Sequence, residues 1–425
     1  MIYNKSKEKE DLVLTILLIF ISAHNGVLSF SPITTIIALV YSIYIFNKRN
    51  LKHHKFIYAF ILIYLFILLI YYWKFGWINF YLSIYILLKF YYAYLTITIL
   101  KFNFFIQYEK IIYYLALISL PLFFFQIVDY PLAFKVIGYI QNHIEFLNFR
   151  NSIYANIFFF TIDGVGAEQR NSGFAWEPKG FANFLILAII INLVNNKFKL
   201  NKKLLVFFIA LITTFSTTGY IAVFTILPIF YYVNKRNKLI LSLMLLPIFM
   251  IILSFIYNLD FMTTKIVNEI NSANAQANQI YDTRVFRARS LGRMGSLIVD
   301  YHDFLKNPII GYGLQREERT QSIYTKLVRV NGLSDILATW GLIGISFYLF
   351  SIYWGLKKYL DVFGYRGSLI LLSVFIVIYF ASTLTAHPLW MMINFIHLQD
   401  FKRYKNYNLD SVILAKHYKI IKSYQ

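Results

Sequence analysis

The sequence predicts an all-α polytopic membrane protein, with about twelve transmembrane helices and a mostly helical outer cap. Three observations predict it. Of 425 residues, 59% are hydrophobic, 20% aromatic and only 14% charged, whereas a soluble domain is about 45–50% apolar and about 25% charged. The apolar residues fall in runs, and about 20 apolar residues cross a bilayer. The basic residues gather in the short segments between alternate runs, as cytoplasmic turns do. This composition excludes a soluble enzyme, a secreted disulfide scaffold and a disordered regulator. With no Cys, disulfides, thiol catalysis and Cys-ligated metal are excluded as well. The net charge of +21 would suggest nucleic acid in a soluble protein. Here it reads as sidedness in a lipid bilayer, and no nucleic-acid partner is expected.

The elements follow in order. The polar start, MIYNKSKEKE, lacks a short apolar core and a small-residue cleavage site, so no removable signal peptide is expected. Residues 1–128 hold spans at about 12–28, 31–46, 56–73, 78–100 and 111–128, with His24-Asn25 interrupting the first near its outer end. A first long outer loop, 129–180, leads to central spans at 181–195, 204–217, 219–233 and 239–258. A larger outer loop, 259–332, contains helix-like stretches at about 263–280 and 283–304. There Asn307-Pro308 stops the helix and Gly311-Tyr312-Gly313 makes a turn. Spans at 333–355, 368–386 and 388–399 precede a basic cytoplasmic tail, 400–425.

Charge supports this order. With both termini inside, 25 of the 41 basic residues lie in short inner segments. Most of the outer ones lie in the two long loops, which count little toward orientation. Nine of the outer basic residues are Arg, namely 150, 170, 284, 287, 289, 293, 316, 319 and 329, against four inner ones. Orientation needs no Arg outside, and Arg suits bidentate phosphate or carboxylate contacts. The bland alternative is that these side chains pair with the loops' own Asp and Glu.

Several residues are candidates for chemistry. Arg170 and Glu177 lie seven residues apart at the membrane rim, with Gly173 and Pro178 shaping the segment. A cation and a carboxylate so placed suit phosphate binding and proton acceptance. Lys179 reads as a snorkelling anchor. Arg284, Arg287, Arg289 and Arg293 fall within ten residues. At 100° per residue, Arg284 and Arg287 share one helix face and Arg289 and Arg293 the other. One pair would hold a diphosphate while the other meets carboxylates such as Asp282 or Asp300, and spacing leaves open which. Lys89 lies midway along its span, where a charge costs ~3 kcal/mol or more; it is either functional, or held in a bundle-interior ion pair, or the span boundary lies elsewhere. No GxxxxGK[ST], HExxH or DxD motif occurs and the eight His show no metal spacing, so neither metal nor cofactor is expected. With no soluble nucleotide-binding domain, any group transfer must draw on an activated donor already in the membrane.

At this point the residues resemble a family. R-N-S-G-F-A-W-E-P at 170–178 resembles the R-x-x-G-x-x-x-x-P segment before a span in the O-antigen polymerase and O-antigen ligase superfamily. F-L-K-N-P-I-I-G-Y-G-L at 304–314 resembles its N/H-P-x-x-G-x-G element, which here carries Asn307, Gly311 and Gly313. N-G-L-S-D-I-L-A-T-W-G-L-I-G at 331–344, beginning with Asn331, resembles its entry into the next span. S-T-T-G at 216–219 sits where the family has a short outer hairpin. The resemblance covers about Arg170 to Gly344, in the family's order. It implies a metal-independent glycosyltransferase on the outer face of the cytoplasmic membrane, with a polyprenyl-diphosphate-linked oligosaccharide as donor. Polymerases extend another lipid-linked repeat unit, and a chain-length regulator is then a further partner; ligases transfer to lipid A core. Ligases carry a His immediately before the Asn, where this chain has Val330, so the polymerase branch is preferred. A flippase or secondary transporter is the alternative from another class.

Overall fold

The computed structural model describes residues 5–23, 31–144, 154–163, 169–234, 291–320 and 328–401, with isolated positions at 29, 267–268, 271–273 and 275. The chain forms helices α1 (Lys5–Ser22), α2 (Pro32–Lys48), α3 (Lys55–Phe75), α4 (Phe80–Leu100), α5 (Asn103–Val128) and α6 (Tyr130–His143). A two-stranded antiparallel hairpin follows, β1 (Tyr154–Ile157) and β2 (Phe160–Asp163), in the register Tyr154↔Asp163 to Ile157↔Phe160. Then come α7 (Pro178–Asn195), α8 (Lys202–Thr213), α9 (Thr217–Asn234), α10 (Arg293–Lys306), α11 (Gly332–Phe363), α12 (Ser368–Ala381) and α13 (Pro388–Ile393). Six of these, α3, α4, α5, α7, α9 and α11, are long and apolar enough to cross a membrane. The fold is that of a helical membrane protein.

Local chemistry sets the ends of these helices. The His54 ring accepts from Phe56 N at 3.2 Å to open α3, and Gly76 closes it in the left-handed region. Asn79 caps α4 by accepting from Leu82 N at 3.1 Å. Asn201 caps α8 by accepting from Leu204 N at 2.9 Å. Pro178 occupies the first turn of α7, where its missing N–H is no loss. α7 is buried along nearly its whole length, so it is the central post of the bundle. α3, by contrast, turns Leu62, Phe66, Leu69 and Trp73 outward, with Trp73 88% exposed. An outward apolar face of that size fits lipid contact.

Polar contacts tie the two ends of the bundle. At one end Arg49 spans Glu10 at 2.8 Å and Asp11 at 2.7 Å, and Asn103 donates to Asp11 at 2.9 Å. Nearby, buried Glu109 accepts from Asn192, Asn195 and Lys203. At the other end Lys74 donates to Asn307, and Trp77 donates to Glu318 at 2.8 Å.

Four expectations change. Within the first long loop the described residues hold α6 and a β-hairpin, both packed on Phe123 of α5 through Ala133, Ile137, Ala155, Ile157, Phe160 and Ile162. The span expected at 204–217 is the twelve-residue α8, about 18 Å long at 1.5 Å per residue. The span expected at 388–399 is the six-residue α13, fully buried, followed by a 3-10 turn, Ile396–Leu398. Asn394 ends α13, donating to the Met391 carbonyl while accepting from Ser351. The preceding helix stops at Ala381, before Ser382-Thr383. The span at 239–258 and most of the stretch 263–280 lie outside the described residues; 267–268, 271–273 and 275 are helical.

Candidate functional site

Two features near the entry to α11 bring the singled-out residues together. The first is a break in that helix. Gly341 has φ 63° and ψ −163°, a conformation that essentially only glycine adopts. The break frees the carbonyls of Ala338 and Thr339 and the amides of Leu342 and Ile343. The segment 308–313 takes up all four. Tyr312 N donates to Ala338 O at 3.1 Å and Gly313 N to Thr339 O at 2.7 Å. In return Leu342 N donates to Pro308 O at 2.8 Å and Ile343 N to Ile309 O at 3.2 Å. A Cβ at Gly341 would strike the Ile309 carbonyl, and one at Gly311 the Thr339 carbonyl. Gly311 and Gly313 turn in the left-handed region (φ 70° and 64°), and the Tyr71 hydroxyl donates to Ile310 O. Asn307, Gly311 and Gly313 therefore build a backbone splice into α11.

The second feature is the unwound turn between α12 and α13, residues 382–387, with the 3-10 turn Leu384–Ala386 at its centre. Arg293, at the start of α10, donates through Nε to Ala381 O at 3.4 Å. Lys89, from the middle of α4, donates through Nζ to Ala386 O at 3.2 Å and lies 4.4 Å above the Tyr85 ring. Asn183 of α7 donates to Ser382 Oγ at 3.4 Å. Gly332 packs so close that a Cβ there would strike the Ser382 carbonyl. Asn331 caps α11 by accepting from Leu333 and Ser334, both at 3.1 Å, and donates to Arg293 O at 3.4 Å. The ion pair considered for Lys89 is not found; among the described residues it meets no carboxylate.

Beside this turn two further cations of the loop, Arg319 and Arg329, are neutralised. Arg319 donates to Asp300 at 3.1 Å and Asp335 at 2.8 Å, and Arg329 donates to Asp300 and lies 2.9 Å from Asp303. Ser334 donates to Asp300 at 2.6 Å. Burial pushes the Asp300 carboxyl up against the opposing pull of Arg329 and Arg319. The Arg329 guanidinium is held above its usual value despite burial, because Asp300 and Asp303 face it. For Arg319 and Arg329, pairing with the loop's own acids is thus the outcome. Removing one partner of such a buried pair costs about 3–5 kcal/mol.

Arg170 and Glu177 flank a tightly built segment. Arg170 is partly exposed. Asn171 is buried, donating to Ser119 at 3.1 Å and Thr213 at 2.9 Å and accepting from Gly173 N at 2.9 Å. Gly173 has φ 49°, and a Cβ there would strike the Phe181 ring. The Glu177 side chain does not cap α7; it pairs with Lys179 at 3.1 Å and stays 45% exposed. Lys179 is therefore a partner of the candidate base. Phe174 packs on Phe184, and Phe184 on Trp390, which links this segment to the start of α13. Arg284, Arg287 and Arg289 lie outside the described residues.

The sequence reading missed the turn 382–387, Asn171 and Asn183. The signal for the turn was present: S-T-L-T-A-H-P at 382–388 is a polar run ending in Pro inside an apolar stretch. No family model matches the chain, and neither does a curated protein or a solved structure.

Proposed function

We propose that this protein is a polysaccharide polymerase of the O-antigen type, a multi-pass enzyme of the bacterial cytoplasmic membrane. It transfers a glycan from polyprenyl diphosphate to another lipid-linked repeat unit on the outer face, without a metal. The observation that carries the reading is the splice at Gly341. The two sequence elements whose resemblance suggests the superfamily, 304–314 and 331–344, interlock through four backbone hydrogen bonds. That gives their spacing a physical reason within this chain. The assignment of the polar segments to two sides of the membrane is supported by contacts that join segments of the same assigned side. Glu10 and Asp11 meet Lys48, Arg49 and Asn103. Lys74 and Trp77 meet Asn307 and Glu318.

In this reading the arginines neutralise the diphosphate leaving group, with Arg170 and Arg293 the described members of the set. Arg284, Arg287 and Arg289 complete it. Glu177 accepts the proton of the attacking sugar hydroxyl. Val330, whose amide donates to Ser296 at 3.2 Å, stands where ligases place His, which favours polymerase over ligase. A flippase is the second reading, favoured by Lys89 at an unwound turn within the bundle, as transporters place their sites.

The test is incubation of the purified protein with a lipid-linked repeat unit, followed by a gel. A ladder of products is expected from the wild type and none from Arg170→Ala, with Arg170→Lys nearly as poor because a point charge does not replace a guanidinium fork. A full ladder from Arg170→Ala overturns the diphosphate assignment. In cells, loss of the gene should leave single repeat units on the surface; units trapped on the cytoplasmic side favour the flippase instead.

A further inference from the structure

The unwound turn 382–387 is approached by two cations from distant parts of the chain. Lys89 stands nine residues into α4, ~14 Å from its start, and is 8% exposed. Arg293 opens α10 and is partly exposed. Their acceptors, the carbonyls of Ala386 and Ala381, lie at the two ends of the turn.

We propose that Lys89 and Arg293 form a two-cation cradle for a phosphate-class anion carried on a lipid headgroup. The inference rests on the transferase reading above, in which that anion is the donor's diphosphate.

Among the described residues the well-buried guanidiniums meet carboxylates: Arg49, Arg319 and Arg329 each do so. Lys89 and Arg293 meet no carboxylate among the described residues: each donates to a neutral carbonyl, at 3.2 and 3.4 Å, and Lys89 also lies over the Tyr85 ring. Charge-assisted bonds to an anion run shorter, about 2.7–2.9 Å. Each head group also keeps donors in reserve, since an ammonium has three and a guanidinium five. A charge so far inside an apolar bundle calls for a counter-charge, and here the described protein supplies none.

The turn is also reachable. Thr383, Thr385, Ala386 and His387 remain partly exposed although α7 and α13 on either side are buried. An anion entering there would lie against one face of the turn, with Arg293 toward the cap and Lys89 toward the bundle. An anchored lipid headgroup suits this better than a free ion, because Lys89 lies ~14 Å along a helix long and apolar enough to cross a membrane.

The experiment measures binding of polyprenyl diphosphate, polyprenyl alcohol and inorganic diphosphate to the full-length protein in detergent. Thermal unfolding without ligand serves as a check of fold. The wild type should bind polyprenyl diphosphate and not the alcohol. Lys89→Met and Arg293→Gln should each weaken that binding at least tenfold with unchanged unfolding temperature. Lys89→Gln, which keeps a donor for the Ala386 carbonyl but no charge, serves if Lys89→Met fails to fold, and should lose the same factor. If these variants bind as the wild type does, the cradle is wrong while the transferase reading survives. Equal binding of inorganic diphosphate overturns the lipid-headgroup assignment. If inorganic diphosphate alone binds, and Lys89→Gln loses it, the anion site stands and the transferase reading falls. Absence of binding by any probe overturns the cradle, and the polymer ladder then judges the transferase reading separately.

Discussion

Glu177 and Lys179 stand 3.1 Å apart at the head of α7, and that pairing sharpens what a substitution there measures. The Glu177 side chain is 45% exposed, so solvent screens the pair and it contributes little stability; exposed pairs are worth about 0–1 kcal/mol. If Glu177 accepts a proton, Glu177→Gln abolishes product while Lys179→Met preserves most of it, and both unfold at the wild-type temperature. A Glu177 that serves only Lys179 would make the two variants behave alike. Steady-state assay of the pair, with unfolding measured in parallel, decides between these roles. Asn171 is the opposite kind of residue. It is buried, its side chain is committed to Ser119, Thr213 and Gly173 N, and its loss would be felt as misfolding of the Arg170 segment.

Helix α11 is best described as two helices spliced by another segment. A break inside an apolar bundle leaves backbone groups with no water to satisfy them, at several kcal/mol each in hydrocarbon. Segment 308–313 satisfies four of them, so the turn after α10 and the kink in α11 specify each other. Gly341→Ala meets two obstacles, the positive φ and the Ile309 carbonyl. It should destabilise the protein by ~3 kcal/mol or more, seen as a large fall in unfolding temperature and loss of folded yield. Gly364→Ala is the control: it too has positive φ (72°), but nothing lies within 4 Å of its Cβ, so its penalty should be the smaller. Equal losses at the two positions would show that the splice contributes nothing beyond backbone strain.

At the scale of the molecule the distribution of charge dictates a testable sidedness. Ala275 is exposed in the large loop and Arg366 is exposed between α11 and α12. In this Cys-free chain, Ala275→Cys should label with an impermeant thiol reagent on intact spheroplasts. Arg366→Cys should label only after lysis. The reverse pattern would invert the topology and place the Arg-rich loop, the splice and the turn 382–387 on the cytoplasmic side.

Membrane character, helix content and the helix-ending turns were readable without coordinates because each is a local property. Runs of apolar residues, Asn307-Pro308, Pro178 and the glycines at 311 and 313 act within a few residues of themselves, and the structure places stops and turns at those points. Candidate residues were legible by type: Arg170, Glu177, Arg293 and Lys89 stand out as charges at or within apolar segments. Their partners were not, because partners are set by packing between segments tens to hundreds of residues apart. Spacing could not tell that Arg319 and Arg329 would be neutralised by Asp300, Asp303 and Asp335. Nor could it tell that Lys89 and Arg293, some 200 residues apart in sequence, would reach one turn. The sequence counts the short α8 and α13 as spans for the same reason. An apolar run looks alike whether it faces lipid or other helices, and only the packing of the bundle separates a crossing helix from a buried fragment.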